Sequence, residues 1–276
     1  MTTLVLPRLG RAGLGNELFP ALRAAELAAD MSATLLSPRW FQLRVGPTLR
    51  GERDKRQYWR LFRPPTLEQR LLRRAAERAV RPPHDPDGSE VVVVAGMQDY
   101  YEPLTRPGEW HRATLLGWAR DGVVGPPRRE AYVSVHVRLG DFRRPEEGAP
   151  SVDANNTSTP VRWYVDAVRA LRAGGIDHPV VVSSDGEDHE LADLLRLPGV
   201  ARSGARNALD EIVLLSRSAG ILGSRSTFTS WGAFLGSVPL LVAPGANAYR
   251  PHRYVWESIG EDVPAAWLDR LSRSST

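Results

Sequence analysis

The chain reads as an α/β protein built from two Rossmann-like halves. Three observations predict this. A strand, a glycine turn, an Ala/Leu-rich helix and a second strand succeed one another over residues 3–36. From residue 131 to 242, short β-branched runs alternate with helical patterns. Between the two stretches, Gly125-Pro126-Pro127-Arg128-Arg129 interrupts both kinds of element, which puts the boundary between residues 1–125 and 126–276. Such alternation implies parallel sheets covered by helices, with ligands at the C-terminal ends of the strands. Two such halves facing one another would form a cleft.

The elements follow in order. Thr3-Leu4-Val5-Leu6 is a strand, Gly10 to Asn16 a turn, Glu17 to Asp30 a helix and Ala33 to Leu36 a second strand. Leu67 to Val80 is an amphipathic helix, with Leu67, Leu71, Leu72, Ala75 and Ala79 expected on the buried side. Arg70, Arg73, Arg74 and Arg78 crowd its other side, a solvated face or at most a peripheral membrane contact. Pro82 to Gly88 is a loop, Val91–Val94 a buried strand and Trp110–Ala119 a helix. Beyond the linker, strands at Ala131–His136, Val180–Ser184, Gly220–Leu222 and Leu240–Val242 alternate with helices at Val161–Ala173, Glu187–Leu195, Ala208–Ser218 and Thr227–Leu235.

Composition narrows the chemistry. The 276 residues include no cysteine, which excludes disulfides, thiolate catalysis and cysteine-ligated metals. Lys55 is the only lysine, which argues against a P-loop, a Schiff base and a Ser-x-x-Lys nucleophile. The net charge of +4 is carried by arginine, whose planar fork suits phosphate. No zinc-finger spacing or RNP-like motif supports a nucleic-acid partner. The N-terminal residues lack a basic, then apolar, leader pattern, and the expected compartment is the cytoplasm.

Four polar clusters carry the chemistry. Gly13-Leu14-Gly15-Asn16-Glu17-Leu18 is half of a dinucleotide fingerprint. Leu18 stands where the third glycine belongs and Ser37 where the acid belongs, which argues against NAD. Gly13, Gly15 and Asn16 still open a helix N-terminus to an anionic or polar ligand, or simply form a tight turn. His136-Val137-Arg138-Leu139-Gly140-Asp141 ends a strand, with His136 and Arg138 on one face; an Arg138–Asp141 brace is the plainer alternative. Ser184-Asp185 ends the next strand, where Asp185 can accept from a base amide and amine or cap a helix. Ser224, Ser226, Thr227 and Phe228 lead into a helix whose first N–H groups suit phosphate, Ser226 being also an ordinary cap.

Together these motifs resemble the fucosyltransferases, above all the α-1,2-fucosyltransferase family. Its members open on a Gly-Leu-Gly-Asn-Gln-Leu-Phe-like turn, matched by Gly13 to Phe19. They share His-Val-Arg-Arg-Gly-Asp, Ser-Asp-Asp and Ser-Thr-Phe-Ser-Trp-Trp-Gly-Ala, matched by His136–Asp141, Ser184-Asp185 and Ser226–Ala233. Pro160 to Ala170, with Trp163-Tyr164, resembles the family helix between the second and third motifs, and the order holds from residue 13 to about 245. This chain departs at Glu17 (for Gln), Leu139 (for Arg) and Gly186 (for Asp).

The resemblance implies the type B glycosyltransferase architecture, with a nucleotide-sugar donor held mostly by the C-terminal half and a carbohydrate or glycoside acceptor. His136 and Asp185 would contact guanine, while Arg138 and the Ser226-Thr227 helix end would hold the diphosphate. The implied reaction is inverting transfer of L-fucose from GDP-fucose by direct displacement. Asp141 and Glu17 are the candidate bases, Glu17 favoured by its place on a glycine-rich turn. No metal or other cofactor is expected, since the Asp-x-Asp string Asp85-Pro86-Asp87 sits in a proline-rich loop. The alternatives are another nucleotide sugar on the same fold, or a catalytically silent nucleotide- or glycan-binding protein.

Overall fold

The β-branched run at 133–137 becomes the innermost strand of a six-stranded parallel sheet, and everything of functional interest in the C-terminal half is placed by it. The computed structural model describes residues 3–41, 57–80, 90–140, 158–243, 257–259 (backbone) and 263–273. Residues 141–157, Asp141 among them, Lys55, Asp85 and Asp87 lie outside the described residues. The chain divides into two compact units. The first is drawn from residues 1–122 without 52–54 and 107–109; the second comprises those two stretches and Val123–Thr276.

The first unit holds a three-stranded parallel sheet ordered β2-β1-β3, from β1 (Leu4–Arg8), β2 (Thr34–Leu35) and β3 (Val91–Ala95). Helix α1 (Leu14–Asp30) follows β1, and its leucines and alanines are almost all buried. Helices α2 (Leu67–Ala79) and α3 (Gly108–Trp118) complete the regular elements, with a 3-10 turn at Tyr58–Arg60. Phe62 stacks on Trp40 at 3.9 Å between ring centroids and bridges Ala119.

Two sequence expectations fail in this unit. β3 is not buried: it pairs only with β1, and its valines are partly exposed, as an edge position allows. Helix α2 is rotated from the face that its leucines predicted. Its packed side is Gln69, Leu72, Arg73 and Ala76, whereas Leu67, Leu71 and Ala75 are exposed. Polar bonds set this rotation. Gln69 Oε1 accepts from Ser37 N at 2.9 Å, and Arg73 Nη2 donates to Ser37 O at 2.7 Å.

The second unit contains β4 (Val133–Val137), α4 (Val161–Ala173), β5 (Val180–Ser184), α5 (Ala192–Leu195) and β6 (Val200–Arg202). It continues through α6 (Ala208–Leu215), β7 (Gly220–Gly223), α7 (Thr227–Gly236), β8 (Leu240–Val242), β9 (Glu257–Ile259) and α8 (Ala265–Arg273). All six strands are parallel, in the order β6-β5-β4-β7-β8-β9. Numbered within the unit this is the doubly wound order, in which the chain reverses direction of growth between β4 and β7. Val133, Val135 and Val137 face one side, packed with Tyr164, Leu171 and Trp267. Ser134 and His136 therefore face the other. The helix expected at Glu187–Leu195 shrinks to Ala192–Leu195, because residues 187–191 form tight turns in which Glu187 N donates to Glu190 Oε2 at 2.8 Å.

Candidate active site

In an open parallel sheet the crevice for a ligand opens where adjacent connections leave on opposite sides, outside the carboxyl ends of the strands. Here that place is the tip of β4 beside the tip of β7, and the polar clusters after β4, β5 and β7 all end on this edge. The register pairs His136 with Ser183 on one side and Gly223 on the other. Ser224 N donates to His136 O at 2.9 Å, extending the ladder by one residue before the chain turns into α7.

Arg138 stands at this tip, about a third exposed at 31%, with Nη1 2.6 Å from Asp185 Oδ2. The other oxygen of Asp185 accepts from Leu139 N at 2.8 Å. Asp185 thus fixes the backbone after β4 and one branch of the guanidinium together. A Cβ at Gly140 would lie 2.5 Å from Asp185 Oδ2, so this closure needs glycine at 140. The brace weighed between Arg138 and Asp141 is supplied, among described residues, by Asp185. Both oxygens of Asp185, the residue expected to read a base, are thus engaged with Arg138 and Leu139.

His136 is 4% exposed. Its Nδ1 is 3.0 Å from Ser224 Oγ and 2.8 Å from Thr229 Oγ1, and its Nε2 is 3.4 Å from Glu211 Oε1. Its ring also stacks on Phe228, 6.3 Å between centroids. These contacts fasten the end of β4 to the end of β7, to α6 and to the first turn of α7. The imidazole expected to contact guanine is buried and has three polar neighbours.

Helix α7 begins at Ser226, whose extended backbone and side chain form the cap, accepting from Phe228 N at 3.2 Å. Thr227 and Phe228 are partly exposed, while Ser224 and Thr229 are buried. The N–H groups of the first turn that the cap leaves over are directed out of the helix end toward the sheet edge. Ser184 closes its own turn, Oγ accepting from Gly186 N at 3.0 Å. Arg202, on β6, donates to Ser184 O and Gly186 O and pairs with Asp188.

Leu139 and Gly186, two of the three departures from the fucosyltransferase pattern, meet here. Leu139 is buried, and a Cβ at Gly186 would stand 2.5 Å from its Cδ1. The two are one packing solution, in which an apolar side chain fills space that any larger residue at 186 would contest.

Gly13, Gly15, Asn16 and Glu17 belong to the first unit. Asn16 N and Glu17 N donate to Gly13 O at 3.0 and 3.1 Å and start α1. Glu17, 2% exposed, accepts from Gly10 N and Ala12 N, each at 2.6 Å. Both oxygens of the carboxylate expected as a base bind the turn, so it is buried and braces its own loop.

Glu211 and Thr229 were not singled out from sequence. Glu211 sits in the first turn of α6, where an acid is ordinarily a helix-dipole residue, and no spacing rule ties it to His136. Thr229 falls inside the Ser226–Trp231 run but carries no signal apart from its neighbours.

No family model matches the chain, and no curated protein matches it. Among solved structures it is similar to NodZ α-1,6-fucosyltransferase co-crystallized with GDP (16% identity, 85% of this chain, 93% of that one, TM-score 0.47). It is similar also to fucosyltransferase NodZ from Bradyrhizobium (17%, 85% and 94%, TM-score 0.46). A third likeness is to E. coli heptosyltransferase WaaC with ADP (12%, 98% and 96%, TM-score 0.44).

Proposed function

We propose that this chain is an inverting glycosyltransferase of the type B architecture that uses a guanine-nucleotide sugar, GDP-fucose by its motifs. The observation that carries the reading is the convergence of Arg138 and the capped N-terminus of α7 at the switch point of the second sheet. A departing nucleoside diphosphate gains negative charge as the bond to the sugar breaks. A guanidinium held in place by Asp185 and the positive end of a helix meet that charge without needing a metal. Preorganisation matters here: an arginine already oriented by a carboxylate loses little freedom when phosphate arrives.

Guanine preference rests on the motif resemblance, and Glu211 suits it chemically. Its carboxylate is 23% exposed and stands beside His136. A carboxylate accepts from the N1–H and exocyclic amine of guanine together, a donor pair that uracil and adenine do not present. The transfer itself needs a base on the acceptor hydroxyl, which attacks the anomeric carbon as the diphosphate leaves. With Glu17 committed to its turn, Asp141 is the carboxylate we assign to that task.

A second reading, another nucleotide sugar on the same fold, is favoured by the Leu139–Gly186 pair, which removes two polar groups from beside the donor site. Calorimetric titration with GDP-, UDP-, ADP- and dTDP-sugars separates the two. The first reading expects GDP-fucose to bind tightest, equally with EDTA and with magnesium. Preference for another base or sugar establishes the second, and no binding by any of them removes both.

A further inference from the structure

The solvent side of α2 carries a surface that the proposed transfer reaction does not use. Thr66 caps the helix, its side chain accepting from Gln69 N at 3.2 Å. Ala76 is buried and Leu72 packs on the cluster of Leu4, Leu6 and Leu36, so the packed side is fixed. At 3.6 residues per turn the opposite arc holds Leu67, Arg70, Leu71, Arg74, Ala75 and Arg78, all exposed. Leu67 is 68% exposed and Leu71 55%. Three arginines are interleaved with two leucines on one stripe, with Glu68 only at its edge.

Each simpler use of this stripe leaves something unexplained. A merely solvated face gains nothing from leucines at this exposure. A nucleic-acid surface uses the arginines and gives the leucines no partner. An anionic lipid surface uses both: the leucine side chains enter the boundary between headgroups and acyl chains, and the guanidinium groups meet the phosphates. The same unit exposes Phe41 (56%) and Trp59 (38%), rings 6.4 Å apart, with the Arg60 guanidinium 5.1 Å over Trp59. Aromatic rings with cations beside them are the side chains favoured at headgroup depth. The helix has 13 residues, short of the ~20 needed to span, so any contact is parallel to the surface.

We propose that α2 docks this protein peripherally on anionic phospholipid bilayers through the Leu67/Leu71 stripe and its flanking arginines. The test is co-sedimentation of the full chain with vesicles of phosphatidylcholine alone and of phosphatidylcholine with phosphatidylglycerol, without donor or acceptor, so it is independent of the transfer reading. The protein should pellet with the anionic vesicles only. Arg74→Ala/Arg78→Ala should weaken binding about fivefold per arginine. Leu67→Gln/Leu71→Gln, which keeps charge and helix propensity, should weaken it about tenfold or more. Far-UV circular dichroism identical to that of the parent protein shows each variant folded, as expected for exposed positions. Failure to pellet with anionic vesicles, equal binding to phosphatidylcholine alone, or a leucine variant that binds like the parent would each overturn the proposal. So would retention of duplex DNA at the same salt by a protein that ignores vesicles.

Discussion

At the scale of single residues, carboxylates at the second sheet's edge divide the labour. Asp185 uses its two oxygens on Arg138 and on Leu139 N, whereas Glu211 touches His136 and keeps part of its surface in water. These placements give opposite expectations for two conservative changes. Asp185→Asn loosens Arg138 and should weaken GDP and UDP alike, by about 2–5 kcal/mol if the guanidinium is lost from the phosphate. Glu211→Gln leaves the phosphate site intact and should weaken GDP well beyond UDP. Calorimetry with both nucleotides on both variants reads the division directly; a base-selective loss in Asp185→Asn would reverse the two roles. Neither role was legible from sequence. Asp185 and Arg138 come together only through the pairing of β4 with β5, and a strand-end Asp followed by glycine reads equally as a cap.

At the scale of elements, packing ties segments that sequence leaves separate. Leu139 after β4 and Gly186 after β5 share one volume, so their substitutions should couple. Gly186→Ala alone should cost about 1–3 kcal/mol by overpacking, and the cost should shrink in a Leu139→Ala background. Denaturant melts of the two single variants and the double measure that coupling; simple additivity would place Leu139 elsewhere.

In the first unit, α1 is tied to the loop before α3 by Glu26, which is 3% exposed. Its Oε1 accepts from Thr105 N at 2.6 Å and Arg106 N at 3.0 Å, and its Oε2 is 2.9 Å from His111 Nε2. Burial pushes this carboxyl up, but hydrogen bonding with His111 and Thr105 outweighs it and holds the group at about 2, against an ordinary value of 4.5. A depressed carboxylate stabilises the fold above its unfolded value and loses that contribution as pH falls toward the folded one. The unit should therefore lose up to ~3 kcal/mol between about pH 4.5 and 2. Glu26→Gln should be less stable at neutral pH and flatter through that window in urea titrations. A variant with the parent's acid slope would show that other groups set it.

At the scale of the molecule, the strands that place the site were legible and the two outermost strands of the second sheet were not. β1, β4, β5, β7 and β8 stand on apolar or β-branched runs bounded by glycine, proline or polar tips, and each lies where those runs predict. β6 (Val-Ala-Arg) and β9 (Glu-Ser-Ile) carry no apolar run, unlike the equally short β8 (Leu-Leu-Val), and only the sheet reveals them. Yet they complete the doubly wound order that puts the switch point between β4 and β7. Helix α2 departs from its expected face for a different reason. Its leucines suggest one side, but Gln69 accepts from Ser37 N and Arg73 donates to Ser37 O, and these bonds turn another side to the sheet.

The proposed function requires Arg138, at this switch point, to hold the diphosphate of a guanine nucleotide. Its most direct test is calorimetric titration of guanosine and of GDP into the parent protein and Arg138→Ala. The parent should bind GDP far more tightly than guanosine, because the diphosphate meets both the guanidinium and the end of α7. Arg138→Ala should lose about 2–5 kcal/mol, ~30-fold to several-thousand-fold, for GDP while guanosine changes little. Binding of GDP by Arg138→Ala within a few-fold of the parent would contradict the claim.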